Sequence, residues 1–179
     1  MTLTTYATRL ASGISRALAA LAAAALIAGA VTASPAFAQS SYQGVHVTPA
    51  NTFFLQLDVY GASTANGAGV IDWWTNGGAN QSWNFISYGG SNTWEIQNRN
   101  SGECLATDGV PGDQVYQDPC DLQANQLWNA NVATNGTFFN IQSKSSGLYL
   151  DVNSNSSWPG AVIDTWYYNG NSNQYFTFD

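Results

Sequence analysis

Apolar and polar residues alternate along most of the chain in short runs, each closed by a cluster of Gly, Asn, Ser or Asp. Trp94-Glu95-Ile96-Gln97 alternates, residues 98–102 collect turn formers, and Glu103-Cys104-Leu105 resumes the extended pattern. This order predicts strand, turn, strand. It returns in Phe139-Asn140-Ile141-Gln142, a turn through Lys144 to Gly147, and Leu148-Tyr149-Leu150-Asp151-Val152. A weaker copy starts at Val45-His46-Val47 and breaks from Pro49 to Thr52. No stretch after residue 38 has a convincing helical period, so the fold class expected is all-β.

One segment departs from this pattern. A mostly alanine run from Ala17 to Val31 follows Arg9 and Arg16, and Ala36-Phe37-Ala38 follows Pro35. Residues 1–38 therefore read as a secretory signal peptide cleaved after Ala38. The run is short and soft for a membrane span, so no membrane association is expected after cleavage, and the mature domain, residues 39–179, is expected outside the cell.

Internal repetition organises that domain. Asn80-Gln81-Ser82-Trp83, Asn125-Gln126-Leu127-Trp128 and Asn173-Gln174-Tyr175-Phe176 share an N-Q-x-aromatic motif at spacings of 45 and 48 residues. Leu57-Asp58-Val59, Leu105-Ala106-Thr107 and Leu150-Asp151-Val152 recur upstream at 48 and 45. Gly69-Val70-Ile71-Asp72-Trp73 also resembles Gly160-Ala161-Val162-Ile163-Asp164, and Asn76-Gly77-Gly78 resembles Asn169-Gly170-Asn171. Three tandem repeats of about 47 residues, roughly 39–90, 91–135 and 136–179, account for the whole domain. Each is too small to bury an apolar face alone, so the three are expected to close one barrel with pseudo-threefold symmetry.

Composition narrows the partners. The domain holds two basic residues, Arg99 and Lys144, against eleven acidic ones, with seven Trp, eight Tyr and 18 Asn. So acidic a surface disfavours nucleic acid, which requires clustered Lys and Arg. Aromatic faces beside amides and carboxylates suit sugars, which offer C–H patches and a rim of hydroxyls. Many of these aromatics are needed for an all-β core, and many of the asparagines for turns.

Three tandem units of this length, each ending in Q-x-W or a close variant and two carrying L-D-V, resemble the ricin B-type lectins, also described as family 13 carbohydrate-binding modules. The resemblance covers essentially the whole mature domain. It implies a β-trefoil in which Trp83, Trp128 and Phe176 are core and each repeat can carry a shallow sugar pocket. It also implies the parts of a working pocket: the Asp of L-D-V, an aromatic platform about seven residues before the N-Q pair, and that pair itself. The first repeat keeps Asp58, Trp73, Asn80 and Gln81. The third keeps Asp151, Asn173 and Gln174; an extra residue between Asp164 and Trp166 leaves Trp166 or Tyr167 as the platform. The second has Ala106 for the carboxylate and Asp118 for the ring, with Tyr116 nearby, and is expected to be inactive. The N-Q pair admits a scaffold role as well, since Asn125 and Gln126 survive in the damaged copy.

Cys104 and Cys120, the only cysteines, are expected to form a disulfide on an oxidising export route. No cofactor or metal is implied, and the lone His46 reads as structural. An enzyme is disfavoured: the candidate carboxylates repeat unit by unit instead of facing one another across a cleft, and no nucleophile elbow is present. The rival class is a trefoil that binds protein, such as a protease inhibitor, with Trp158-Pro159 the nearest candidate for a protruding loop. The function expected is a secreted, monomeric lectin for galactose-type sugars or a xylan-like plant polysaccharide. N-x-S/T triplets at Asn80, Asn135 and Asn155 would matter only in a host that glycosylates exported proteins.

Overall fold

The computed structural model describes residues 40–87, 92–132 and 136–178. The leader over 1–38, the triplet at Asn135 and the expected borders between repeats lie outside the described residues. Within them the chain forms β1 (Ser40–Val45), β2 (Val47–Pro49), β3 (Leu55–Val59), β4 (Val70–Trp74) and β5 (Trp83–Ser87). The second set is β6 (Thr93–Asn98), β7 (Cys104–Ala106), β8 (Tyr116–Asp118) and β9 (Trp128–Val132). The third is β10 (Phe139–Ser143), β11 (Tyr149–Val152), β12 (Ile163–Trp166) and β13 (Phe176–Phe178).

Only His46 separates β1 from β2, and the break lets one strand serve two neighbours: Val45 faces Trp83 on β5 while Val47 faces Phe178 on β13. The antiparallel pairs β5–β6, β6–β9, β9–β10 and β10–β13 complete the barrel. Hairpins β3–β4, β7–β8 and β11–β12 supply one cap per repeat. This is the pseudo-threefold barrel that the repeat arithmetic predicts and the β-trefoil that the resemblance implies.

Trp83, Trp128 and Phe176 stand where the first and last strands of each repeat meet, and all three are buried. A buried indole needs a partner for its N–H. Trp83 Nε1 donates to the Leu57 carbonyl at 3.1 Å and Trp128 Nε1 to the Leu105 carbonyl at 2.9 Å. Each ring thereby ties the end of a repeat to its own L-D-V strand or that strand's counterpart. Replacing one with Ala would cost about 3 to 5 kcal/mol.

Around the pseudo-threefold axis the repeats are joined by backbone hydrogen bonds. Val70 N donates to Val115 O at 3.0 Å, and Val115 N to Ile163 O at 2.9 Å. A glycine from each repeat then crosses to a neighbouring hairpin: Gly67 N to Gln117 O at 2.8 Å, Gly112 N to Thr165 O at 2.8 Å and Gly160 N to Asp72 O at 2.7 Å. The Cys104–Cys120 disulfide is formed and ties β7 to the segment after β8. His46 Nδ1 donates to the Gln81 carbonyl at 3.0 Å, a structural contact.

Candidate functional site

The N-Q pair sits in the same 3-10 turn in every repeat, at Ala79–Gln81, Ala124–Gln126 and Ser172–Gln174. The Gln side chain folds inward and clamps the loop before it. Gln81 Oε1 accepts from Asn76 N at 2.9 Å and Nε2 donates to Trp74 O at 2.8 Å. Gln126 repeats this with Asp121 N and Pro119 O, and Gln174 with Asn169 N and Tyr167 O. Gln81 and Gln174 are wholly buried, and neither lines a cavity. Both side chains hold the loop in place, the scaffold role that the N-Q pair also admits. Gln81 acts on the site only through Asp58, whose Oδ2 accepts from its Nε2 at 2.9 Å.

Above the first clamp lies a cavity of about 420 Å³ lined by Asp58, Tyr60, Gly61, Ala62, Ile71, Trp73, Asn76 and Asn80. Asp58 comes from β3 and Ile71 faces it directly across the hairpin on β4. Trp73, 41% exposed, leans on Gly160 from the third repeat, where an added Cβ would stand 3.3 Å from Cζ3. The glycine, at φ +89°, leaves the room the ring needs. Asn80 Nδ2 donates to the Val59 carbonyl at 3.3 Å. Burial raises the Asp58 carboxyl above the ordinary aspartate range, with the Gln81 and Asn80 carboxamides opposing that shift.

The third repeat builds its counterpart, a cavity of about 340 Å³ lined by Asp151, Asn153, Ser154, Asn155, Asp164, Trp166, Asn169, Asn171 and Asn173. Asp151 faces Asp164 across β11–β12. Asn173 Nδ2 donates to Asp151 Oδ1 at 2.8 Å and to the Val152 carbonyl at 3.1 Å, and Asn169 Nδ2 donates to Asp151 Oδ2 at 3.3 Å. Burial pushes Asp151 up to about 6; donors from Gln174, Asn173 and Asn169 pull it down, and the negative charge of Asp164 adds to the rise. Asp164 accepts from Asn153 Nδ2 at 2.7 Å through Oδ2, while its Oδ1 and the Oδ1 of Asn173 have no partner among the described residues.

Strand register matches the two tryptophans. Trp73 faces Gln56, two residues before Asp58, and Trp166 faces Tyr149, two residues before Asp151. Trp166 is therefore the counterpart of Trp73 and leans likewise on Gly112, whose added Cβ would stand 3.2 Å from its Cζ3. Tyr167 corresponds to Trp74, since both carbonyls accept from the clamping Gln. Tyr167 does not line the cavity, whereas Trp166 does. The extra residue read between Asp164 and Trp166 does not exist, because Asp164 takes the place of Ile71 and Thr165 that of Asp72. The shared Ile-Asp letters had aligned the two strands one residue out of register, and a one-residue slip reverses every face.

In the second repeat Ala106 faces Tyr116, and Asp118 faces Cys104 where the other two repeats place a tryptophan. The sequence missed Asn76 and Asn169 as cavity residues, although both stand four positions before the N-Q pair and open the matching Asn76-Gly77-Gly78 and Asn169-Gly170-Asn171 runs. Tyr60 and Asn153, two positions after the paired aspartates, were equally readable from spacing. Asp72 belongs to neither cavity. It is fully buried, its Oδ1 accepts from Ala161 N at 2.8 Å, and burial pushes it up to about 6.

The family model described as ricin-type β-trefoil lectin domain-like matches residues 79–166 and 124–179. Among solved structures, the designed threefold-symmetric protein ThreeFoil is 28% identical at a TM-score of 0.71, over 75% of this chain and 96% of that one. An exo-β-1,3-galactanase from Clostridium thermocellum is 27% identical at a TM-score of 0.70 over 76% of this chain, which spans only 30% of the enzyme's. A ricin B-like lectin from Macrolepiota procera, solved with lactose, shares the fold at 22% identity and a TM-score of 0.65, over 78% of this chain and 96% of that one. No curated protein matches the sequence significantly.

Proposed function

Because the chain belongs to the ricin-type β-trefoil lectin-domain-like family, we propose that it is an exported carbohydrate-binding lectin with sugar pockets in its first and third repeats. One observation carries this: a buried carboxylate, a half-exposed tryptophan and an Asn carboxamide recur on the same strand register in those two repeats, while the second lacks both carboxylate and ring. The tryptophan face covers the C–H side of a pyranose, and the carboxylate and carboxamide fix its hydroxyls. Asp58, Trp73 and Asn80 form the first pocket, and Asp151, Trp166 and Asn173 the third. Hydrolysis is not part of this reading: a glycosidase needs two acids flanking the scissile bond, whereas Asp58 is the one acid lining the first cavity and Asp151 and Asp164 of the third are direct cross-strand neighbours on one hairpin.

Galactose-type sugars or a xylan-like plant polymer are the ligands proposed, with the leader over 1–38 directing export and no membrane or nucleic acid partner. A shallow single-sugar site binds at a Kd of about 1 mM, and two sites on one rigid domain can raise avidity for a polymer by roughly a hundredfold. The test is intrinsic tryptophan fluorescence titrated with galactose, lactose, xylo-oligomers and gluco-oligomers. Asp58→Ala and Asp151→Ala should each remove one class of site, and the double variant both. Silence toward all four sugars, or an unaltered double variant, would overturn the proposal and raise the protein-binding trefoil in its place.

A further inference from the structure

The glycine on which each tryptophan leans comes from a neighbouring repeat and is preceded, two residues earlier, by an exposed side chain. Gly160 reaches the first pocket and Gly112 the third through matching backbone bonds to Asp72 O and Thr165 O. The residues two positions before them are Trp158 and Val110, each followed by a proline. Two residues of chain span at most about 7 Å, so position 158 lies within that reach of the glycine on which Trp73 leans.

Trp158 is 79% exposed and takes part in no aromatic pair among the described residues. Its turn is nonetheless fixed. Trp158 N donates to Ser156 Oγ at 3.2 Å, Ser156 N to Asn153 O at 3.2 Å, and Asn51 Nδ2 from the first repeat to Ser156 O at 2.7 Å. Pro159 restricts the backbone that follows. An indole held out in solvent on a turn clamped from two repeats incurs little further ordering cost when a ligand covers it. Tyr60, 68% exposed, adds a ring to the lining of the same pocket, at the place where the third repeat has Asn153.

We propose that the first pocket is one end of an extended site in which Trp158 stacks on the neighbouring sugar, so that its ligand is the interior or end of a glycan chain at least two residues long. The third pocket, with Val110 at the matching rim position, takes a single sugar. This rests on the lectin reading of the first pocket and adds a length requirement to it.

The test is calorimetry with galactose against galactotetraose and xylose against xylotetraose, on the Asp151→Ala protein so that only the first pocket reports. The tetramer of the preferred sugar should bind roughly tenfold tighter than its monomer, the gain from covering one more ring face. Trp158→Ala, and the milder Trp158→Val that copies the second repeat, should abolish that ratio while leaving monomer affinity unchanged. An unchanged ratio in Trp158→Ala, or no length preference in the intact pocket, overturns the extended site while leaving the lectin intact. Loss of monomer and tetramer alike in Trp158→Ala also overturns it, since the indole would then belong to the primary pocket. No binding of either monomer or tetramer overturns the lectin reading, and the extended site with it.

Discussion

The first and third repeats place Asp, Trp and Asn on identical register and then surround them with different chemistry. Opposite Asp58 stands Ile71, and Tyr60 closes the side; opposite Asp151 stands Asp164, with Asn153 bonded to it. The first pocket is thus a carboxylate among rings and a methylene floor, the third a pair of carboxylates in a lattice of amides. A scaffold copied three times has diverged where side chains line the cavities, while the Gln clamp and the glycine under the ring, which hold geometry, stayed fixed. The pair should prefer different sugars or different parts of one polymer.

The largest effect should come from importing the third pocket's floor into the first. Ile71→Asp would set a second carboxylate directly across from Asp58, where two like charges cannot both ionise without mutual cost. Sugar affinity of the first pocket should fall about a hundredfold at neutral pH and recover in part near pH 5, as the pair shares a proton. Ile71→Asn removes the apolar floor without the charge. Equal losses in the two variants at all pH values would show that shape, and not charge, separates the pockets.

Next in size is the pH response of the third pocket, isolated in the Asp58→Ala protein. With Asp151 near 6, a site that needs its carboxylate should lose affinity below that pH, by about tenfold per unit once protonation dominates. Asp164→Asn removes the neighbouring charge and should move the midpoint down. Stability should run the other way. Asp72 and Asp151 titrate near 6 in the folded protein against about 4 in an unfolded chain. Between those values the folded state binds more protons, so stability falls as pH rises through the window. The penalty is full above 6, where both states are ionised, and absent below 4, where neither is. Thermal unfolding should therefore show a higher Tm at about pH 4.5 than at about 7.5, and Asp72→Asn should reduce the difference.

A smaller and selective effect should follow from Gly160→Ala. The new Cβ would meet Trp73 Cζ3 at 3.3 Å on a backbone at φ +89°, at a conformational cost of about 1 to 3 kcal/mol. The ring must tilt, and first-pocket affinity should drop severalfold while the third is untouched. Gly112→Ala, at 3.2 Å from Trp166 and φ +90°, should do the reverse. Titrating both variants on the Asp58→Ala and Asp151→Ala backgrounds reads each pocket separately.

Much of this was legible in the sequence because the repeat is written in residues that have one job each. Trp83, Trp128 and Phe176 mark the barrel seams, and the L-D-V strands place the two aspartates. Side chains that cross between repeats were not legible. Nothing in the first repeat's letters says that Trp73 rests on Gly160, 87 positions along the chain and brought to it only because the three repeats close one barrel. The scaffold role of the Gln in the N-Q pair was only half legible for a related reason: a carboxamide reads the same whether its partner is a sugar or a backbone carbonyl, and burial is what separates the two. Register was lost where Ile71-Asp72 and Ile163-Asp164 share letters but not faces, since pairing across the hairpin, and not identity along the strand, decides which residue looks into the cavity.

The smallest effect is the sharpest check on that register. Tyr167→Ala removes a large exposed ring that follows Trp166 directly, yet the side chain lies outside the cavity, and what the scaffold uses is its backbone carbonyl, which accepts from Gln174 Nε2 at 2.9 Å. Alanine keeps that carbonyl, so the third pocket should bind its sugar within about twofold of the intact protein and Tm should move little. Trp166→Ala on the same background should lose the site, because it deletes the platform that leans on Gly112. If instead Tyr167→Ala abolished binding and Trp166→Ala spared it, the hairpin would have to be paired one residue out of register in solution, and the match between the first and third repeats would fail with it.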